Sequence, residues 1–97
     1  MQYKIRYSIF AKEDMREIKK YLSQFYPNTS QKFMQEMKRH VERLKDTPKI
    51  YEKYGNDSNY RKMIVRDYAV FYQINEDAKV VFLYRILYGK VDIPRHL

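Results

Sequence analysis

YRKMIVRDYAVFYQINEDAKVVFLYRILY, residues 60–88, is the stretch whose reading decides the fold. Apolar and aromatic residues run through it with the period of two that marks strands, broken twice by clusters of turn-forming residues. Tyr60 to Val65 reads as a strand, Arg66-Asp67 as a turn, and Tyr68 to Ile74 as a second strand. Asn75-Glu76-Asp77-Ala78 is a second turn, and Lys79 to Tyr88 a third strand. Links this short join antiparallel neighbours, so the segment predicts two consecutive hairpins, an antiparallel meander.

Alternation sorts the strands into faces. Tyr68, Val70, Tyr72 and Ile74 share one side with Phe82, Tyr84, Ile86 and Tyr88, and this set is assigned to the packed core. Ala69, Phe71 and Gln73 fall on the other side with Val81, Leu83, Arg85 and Leu87. The second set makes an apolar open face around Arg85, a candidate docking surface for a partner chain. The tail, the Ile50–Tyr54 loop or a second copy of the chain are alternative covers.

Upstream, Ile50 to Asn59 carries Gly55, Asn56, Asp57, Ser58 and Asn59 with no helical stripe, and reads as a loop. Before it, Phe33, Met37, Val41 and Leu44 mark one face of a helix from about Ser30 to about Lys45, which Pro48 stops; Asn28, Thr29 and Ser30 offer caps. Met15, Ile18, Leu22 and Phe25, with Ala11 and Tyr21 beside them, mark another helix from Ala11 to Phe25. Ser8 is its cap and Pro27 its stop. The short link makes the two helices a hairpin. Tyr3 to Ile9 alternates as a half-buried strand. The predicted class is therefore α+β: a strand, a helical hairpin, then a three-stranded antiparallel meander, with the helices packed on one sheet face. At 97 residues the whole chain, 1–97, is expected to form a single domain.

Composition narrows the chemistry. No cysteine is present, which excludes disulfides, thiol catalysis and cysteine–histidine zinc sites, and fits a reducing cytosol. No apolar run approaches the roughly 18 residues of a membrane span, and Met1 to Phe10 does not pattern as a signal peptide. A cytoplasmic location is expected, with no membrane partner, bound metal or cofactor. The net charge of +8 favours polyanions or an acidic protein partner, and also serves solubility. Eleven tyrosines suit half-buried sheet faces and interfaces, and also stack on bases.

Three stretches together resemble the RelE/ParE toxin superfamily. They are Ala11-x-x-Asp14-Met15-x-x-Ile18-x-x-Tyr21 on the first helix, Leu44-x-x-x-Pro48 ending the second, and Tyr60-Arg61-Lys62, Tyr68 to Ile74 and Tyr84-Arg85-Ile86-Leu87-Tyr88-Gly89-Lys90 in the meander. The resemblance covers nearly the whole chain. It implies the toxin of a type II toxin–antitoxin pair, of the kind associated with plasmid stabilization. Such a toxin is silenced by a cognate antitoxin and can be a homodimer or part of a toxin–antitoxin hetero-oligomer. RelE-like members cut messenger RNA on the ribosome without metal, whereas ParE-like members poison DNA gyrase.

Metal-independent endoribonuclease action needs a base for the 2′-hydroxyl, an acid for the leaving oxygen, and cations for the developing phosphorane charge. The candidate catalytic residues are Arg85, Tyr88 and Arg61. Lys62, Arg66, Lys90, Arg95 and His96 are candidates for RNA or target binding, and Phe71, Leu83 and Leu87 for antitoxin binding. Arg85 reads equally as a phosphate clamp or an ion-paired sheet residue. Tyr88 reads as a core-edge tyrosine or a proton donor. His96 can act as acid or base if the tail folds back. His40, beside a helix stripe, reads as structural, and Glu52 is the one loop carboxylate considered as a base. The chain departs from the RelE pattern at three positions: Ala69 and Val91 stand where cations are expected, and Tyr88 where histidine is frequent. These departures shift weight toward gyrase, or toward an inactivated, non-catalytic module that only binds its antitoxin.

Overall fold

Strand β1 (Lys4–Tyr7) leads through Ser8 into helix α1 (Ile9–Ser23), followed by α2 (Thr29–Asp46) and the strands β2 (Arg61–Val65), β3 (Tyr68–Asn75) and β4 (Val80–Tyr88). The computed structural model describes residues 2–25, 28–55 and 59–89. Each predicted element is present. Ser8 caps α1 as its sequence position suggests: its backbone is extended and its Oγ accepts from the Ala11 amide at 2.9 Å. Asn28 stands at the cap of α2 without a side-chain capping bond.

The sheet order is β1-β4-β3-β2. The meander pairs antiparallel, and β1 adds beside β4 in parallel, with Lys4 opposite Val80 and Tyr7 opposite Leu83. Sequence alone did not place this first strand. Both helices pack on one sheet face. Phe33, Met37, Val41 and Leu44 of α2 are all buried there, as their spacing requires, with Ala11 and Ile18 of α1. From the sheet come Met63, Val65, Val70, Tyr72, Val81, Leu83 and Ile86. The Tyr72 hydroxyl donates to the Pro48 carbonyl at 2.6 Å, tying the segment after α2 to the sheet. Burial pushes its pKa up to about 12. Phe25, expected at the end of the first helix's stripe, lies past Ser23 and is exposed.

One feature of β4 overturns the face assignment. Phe71 pairs with Arg85 but Tyr72 pairs with Leu83, so Tyr84 is an extra residue, a β-bulge. A bulge shifts alternation by one. The predicted faces are correct beyond it, where Ile86 faces the helices and Leu87 the open side. They are inverted before it: Val81 and Leu83 are fully buried in the helix-side core, while Phe82 and Tyr84 stay outside that core and half-buried. Leu83 is thus core rather than a surface for a partner. The open side holds a small second cluster of Ala69, Phe71 and Leu87 under Tyr54 and Tyr60. The Tyr54 ring meets Phe71 edge-on at 5.2 Å. The Ile50–Tyr54 loop, one of the alternative covers, therefore closes over Phe71.

Candidate functional site

Beyond Tyr7, β1 ends while β4 continues to Tyr88, which leaves the backbone of β4 without a strand neighbour on that side. Ser8, the cap of α1, and a side chain of the helix replace it. The Ser8 amide donates to the Leu83 carbonyl at 2.9 Å and its hydroxyl to the Tyr84 carbonyl at 2.5 Å. Nearly two turns on, Asp14 Oδ2 accepts from the Ile86 amide at 2.9 Å. The same carboxylate grips Arg85 in a bidentate pair, Nε to Oδ2 at 2.8 Å and Nη2 to Oδ1 at 3.0 Å. Both side chains are mostly buried, Arg85 at 20% and Asp14 at 14% exposure. The hydrogen bonds to Asp14 raise the Arg85 pKa further, against a smaller opposing effect of burial. The guanidinium also lies 5.9 Å from the Phe10 ring centroid.

Of the two readings of Arg85, the ion-paired one describes this geometry. Its partner was the residue that sequence reasoning missed. A signal was available: Asp14 falls three residues after Ala11 and four before Ile18, a carboxylate on the buried stripe of the helix. Such a position calls for a buried donor.

The other candidates scatter. Arg61 donates from Nη1 to the Tyr51 carbonyl at 2.7 Å and braces the loop. Arg66, in the β2–β3 turn with a left-handed φ of 55°, pairs with Glu36 of α2 at 3.2 Å. Lys62 lies on the open side, its Nζ 5.8 Å from the Tyr54 ring centroid. Phe71 is fully buried and Leu87 nearly so. Glu52 accepts from the Lys62 amide through its backbone carbonyl. His40 Nδ1 lies 2.8 Å from the Glu36 carbonyl within its own helix. Lys90, Val91, Arg95 and His96 lie outside the described residues.

Tyr88 stands at the other end of β3 from the partner of Arg61, near the Arg66-Asp67 turn, at the mouth of a groove of about 460 Å³ between α1 and the end of β4. Glu17, Ile18 and Tyr21 form one wall, and Tyr68, Ile86 and Tyr88 the other. Tyr21 and Tyr88 are exposed, and Phe25 extends the rim with its ring 4.9 Å from that of Tyr21. Tyr68, edge-on to Tyr88 at 5.8 Å, has its pKa raised by burial first, then by Tyr21, Asp67 and Tyr88. No helix among the described residues is long and apolar enough to cross a membrane.

Comparison with solved structures places this architecture among toxins. A chain of the chromosomal ParDE toxin–antitoxin system of P. aeruginosa superposes with a TM-score of 0.75 at 13% identity, over 92% of this chain and 98% of that one. The free RelE toxin of E. coli, in mutant form, superposes with a TM-score of 0.67 at 17% identity over the full length of both. A chain of the intact E. coli RelBE toxin–antitoxin complex gives 0.65 at 16% identity, over 92% and 99%. No curated protein sequence matches. The family model described as the ParE toxin of the type II toxin–antitoxin system parDE matches residues 5–93, nearly the whole span from β1 past the end of β4, and the chain therefore belongs to the ParE toxin family.

Proposed function

We propose that this protein inhibits growth by trapping DNA gyrase in the cytoplasm, without cutting RNA, and that a cognate antitoxin silences it by docking in the groove between α1 and β4. The observation that carries the first half is the Arg85–Asp14 pair. A cation that stabilises a phosphorane must meet the developing charge with open donors. Arg85 instead points two of its nitrogens at a carboxylate, and Arg61 and Arg66 are engaged with a loop carbonyl and with Glu36. With Ala69 in place of a cation, the described residues bring no base, acid and free arginine together. The ParE family model points the same way.

The docking half rests on the exposed rings of Tyr21, Phe25 and Tyr88 around an apolar groove floor of Ile18 and Ile86. The structural relatives include chains of RelBE and ParDE toxin–antitoxin systems. Purified protein mixed with gyrase and plasmid is expected to accumulate linear DNA through trapped cleavage complexes. Induction in cells is expected to raise DNA-damage signalling while messages stay intact. Normal supercoiling under excess protein, or messages cut at ribosomes, would refute the gyrase reading. Harmless induction without antitoxin would favour a module that only binds.

A further inference from the structure

The open side of the sheet, followed across the register, is a run of rings interleaved with cations. Ile5 and Tyr7 pack into the helix-side core, so Lys4 and Arg6 lie on the opposite side of β1, both exposed. Arg6 pairs with Phe82, and Phe82 with Gln73. One row along, Lys62 pairs with Phe71, which lies buried under Tyr54, and Phe71 with the ion-paired Arg85, so Lys62 is the cation this row presents. The bulge turns Tyr84 to this side, its ring 5.8 Å from that of Phe10, which is 54% exposed, and 5.2 Å from that of Tyr60. None of the described strand residues that register places on this side, from Lys4 to Leu87, is Asp or Glu. Asp14 is bound to Arg85, and Glu76 and Asp77 stand at the hairpin tip beyond Phe82.

The exposed Phe10 ring beside the half-buried Tyr84 ring, flanked by lysine and arginine, has the chemistry of a platform for an unpaired strand: bases stack on the rings and phosphates meet the cations. A duplex hides its base faces and gains only the phosphate part. We propose that this face holds unpaired DNA, with bases against Tyr84 and Phe10 and phosphates at Lys62 and Arg6. The inference builds on the gyrase reading, because a gyrase-held break is where the toxin meets opened strands.

The test is fluorescence anisotropy of labelled oligothymidylate, oligouridylate and a DNA duplex of equal length with the intact chain. Oligothymidylate is expected to bind more tightly than the duplex. Tyr84→Ala should weaken it about tenfold while Tyr84→Phe retains binding. Lys62→Ala should remove about one counterion from the salt dependence, and Lys38→Ala, on the exposed side of α2, should leave both quantities unchanged. Circular dichroism checks folding, and Phe10→Ala serves if Tyr84→Ala unfolds. Equal affinity for the duplex, equal losses at Lys38 and Lys62, or binding of oligouridylate with oligothymidylate unbound would each overturn the proposal. Gyrase trapping by a protein that binds no oligonucleotide sinks the platform and leaves the gyrase reading. Binding without trapping does the reverse.

Discussion

Replacing Asp14 by alanine tests the arrangement on which most of the reasoning depends. Three hydrogen bonds end on this carboxylate, two from Arg85 and one from the Ile86 amide. Breaking a fully buried ion pair costs about 3–5 kcal/mol, and breaking an exposed one less than about 1 kcal/mol. Arg85 keeps 20% of its side-chain surface and can turn part of its charge to water, so the loss falls between these limits. Adding the stranded Ile86 amide gives about 2–3 kcal/mol. For a domain of this size that is a fall in Tm of about 10–20 °C. Asp14→Asn keeps one oxygen for the Ile86 amide and Arg85 Nε but gives up the charge and the bond from Arg85 Nη2, so about 1–2 kcal/mol is expected. Urea unfolding of Asp14→Ala, Arg85→Ala and the double variant supplies the coupling energy, expected above about 1 kcal/mol. A loss below about 0.5 kcal/mol for Asp14→Ala, the range of ordinary surface changes, or a coupling near zero, would show that the pair is ornamental and that Arg85 is available for other work.

Three further outcomes follow from the same geometry. Leu83→Ala should cost about 2–5 kcal/mol in urea unfolding, as a fully buried leucine does, while Phe82→Ala costs clearly less; the opposite order would mean the bulge is misplaced. Arg66→Gly should be more stable than Arg66→Ala by up to about 1 kcal/mol, since both lose the partly exposed pair with Glu36 and only glycine accepts the positive φ without strain; equal Tm values would count against that conformation. Tyr72 ionises at about 12 in the fold and near 10 when unfolded, so its contribution is whole below pH 10 and is lost as the pH rises through 12, amounting to about 2–3 kcal/mol. Tyr72→Phe should flatten that alkaline decline in unfolding experiments, and an unchanged slope would place the ionisation elsewhere.

Periodicity gave the elements because strands and helices impose their own spacing on burial, as the α2 stripe from Phe33 to Leu44 shows. Topology beyond neighbouring strands was another matter. Nothing in Lys4–Tyr7 states that it will lie parallel to a strand more than seventy residues later. The bulge at Tyr84 was equally hidden, because one extra residue in an unbroken apolar run leaves no gap in composition, yet it exchanges Leu83 for Phe82 and Tyr84 on the open side. Among the candidate site residues the arginines were recognisable as cations, but their partners were not. The loop carbonyl that receives Arg61 and the carboxylate that receives Arg85 are tertiary facts. Asp14 came closest to being legible, through its place on a buried stripe.

The gap left where β1 stops has a consequence for how the chain acquires its structure during synthesis. Ser8 and Asp14 are made early, but the backbone groups of Leu83, Tyr84 and Ile86 that they satisfy are made more than seventy residues later. Until then β1 has no neighbour to pair with, and the helical hairpin has no completed sheet on which to bury Phe33 and Leu44. Contacts so distant in sequence form slowly, because loop closure must precede any gain from them. A nascent chain halted before β4 therefore lacks the strand with which both β1 and β3 pair. The sheet is completed only with its last strand, and a premature stop anywhere ahead of Val80 should yield an inert product rather than a weakened toxin.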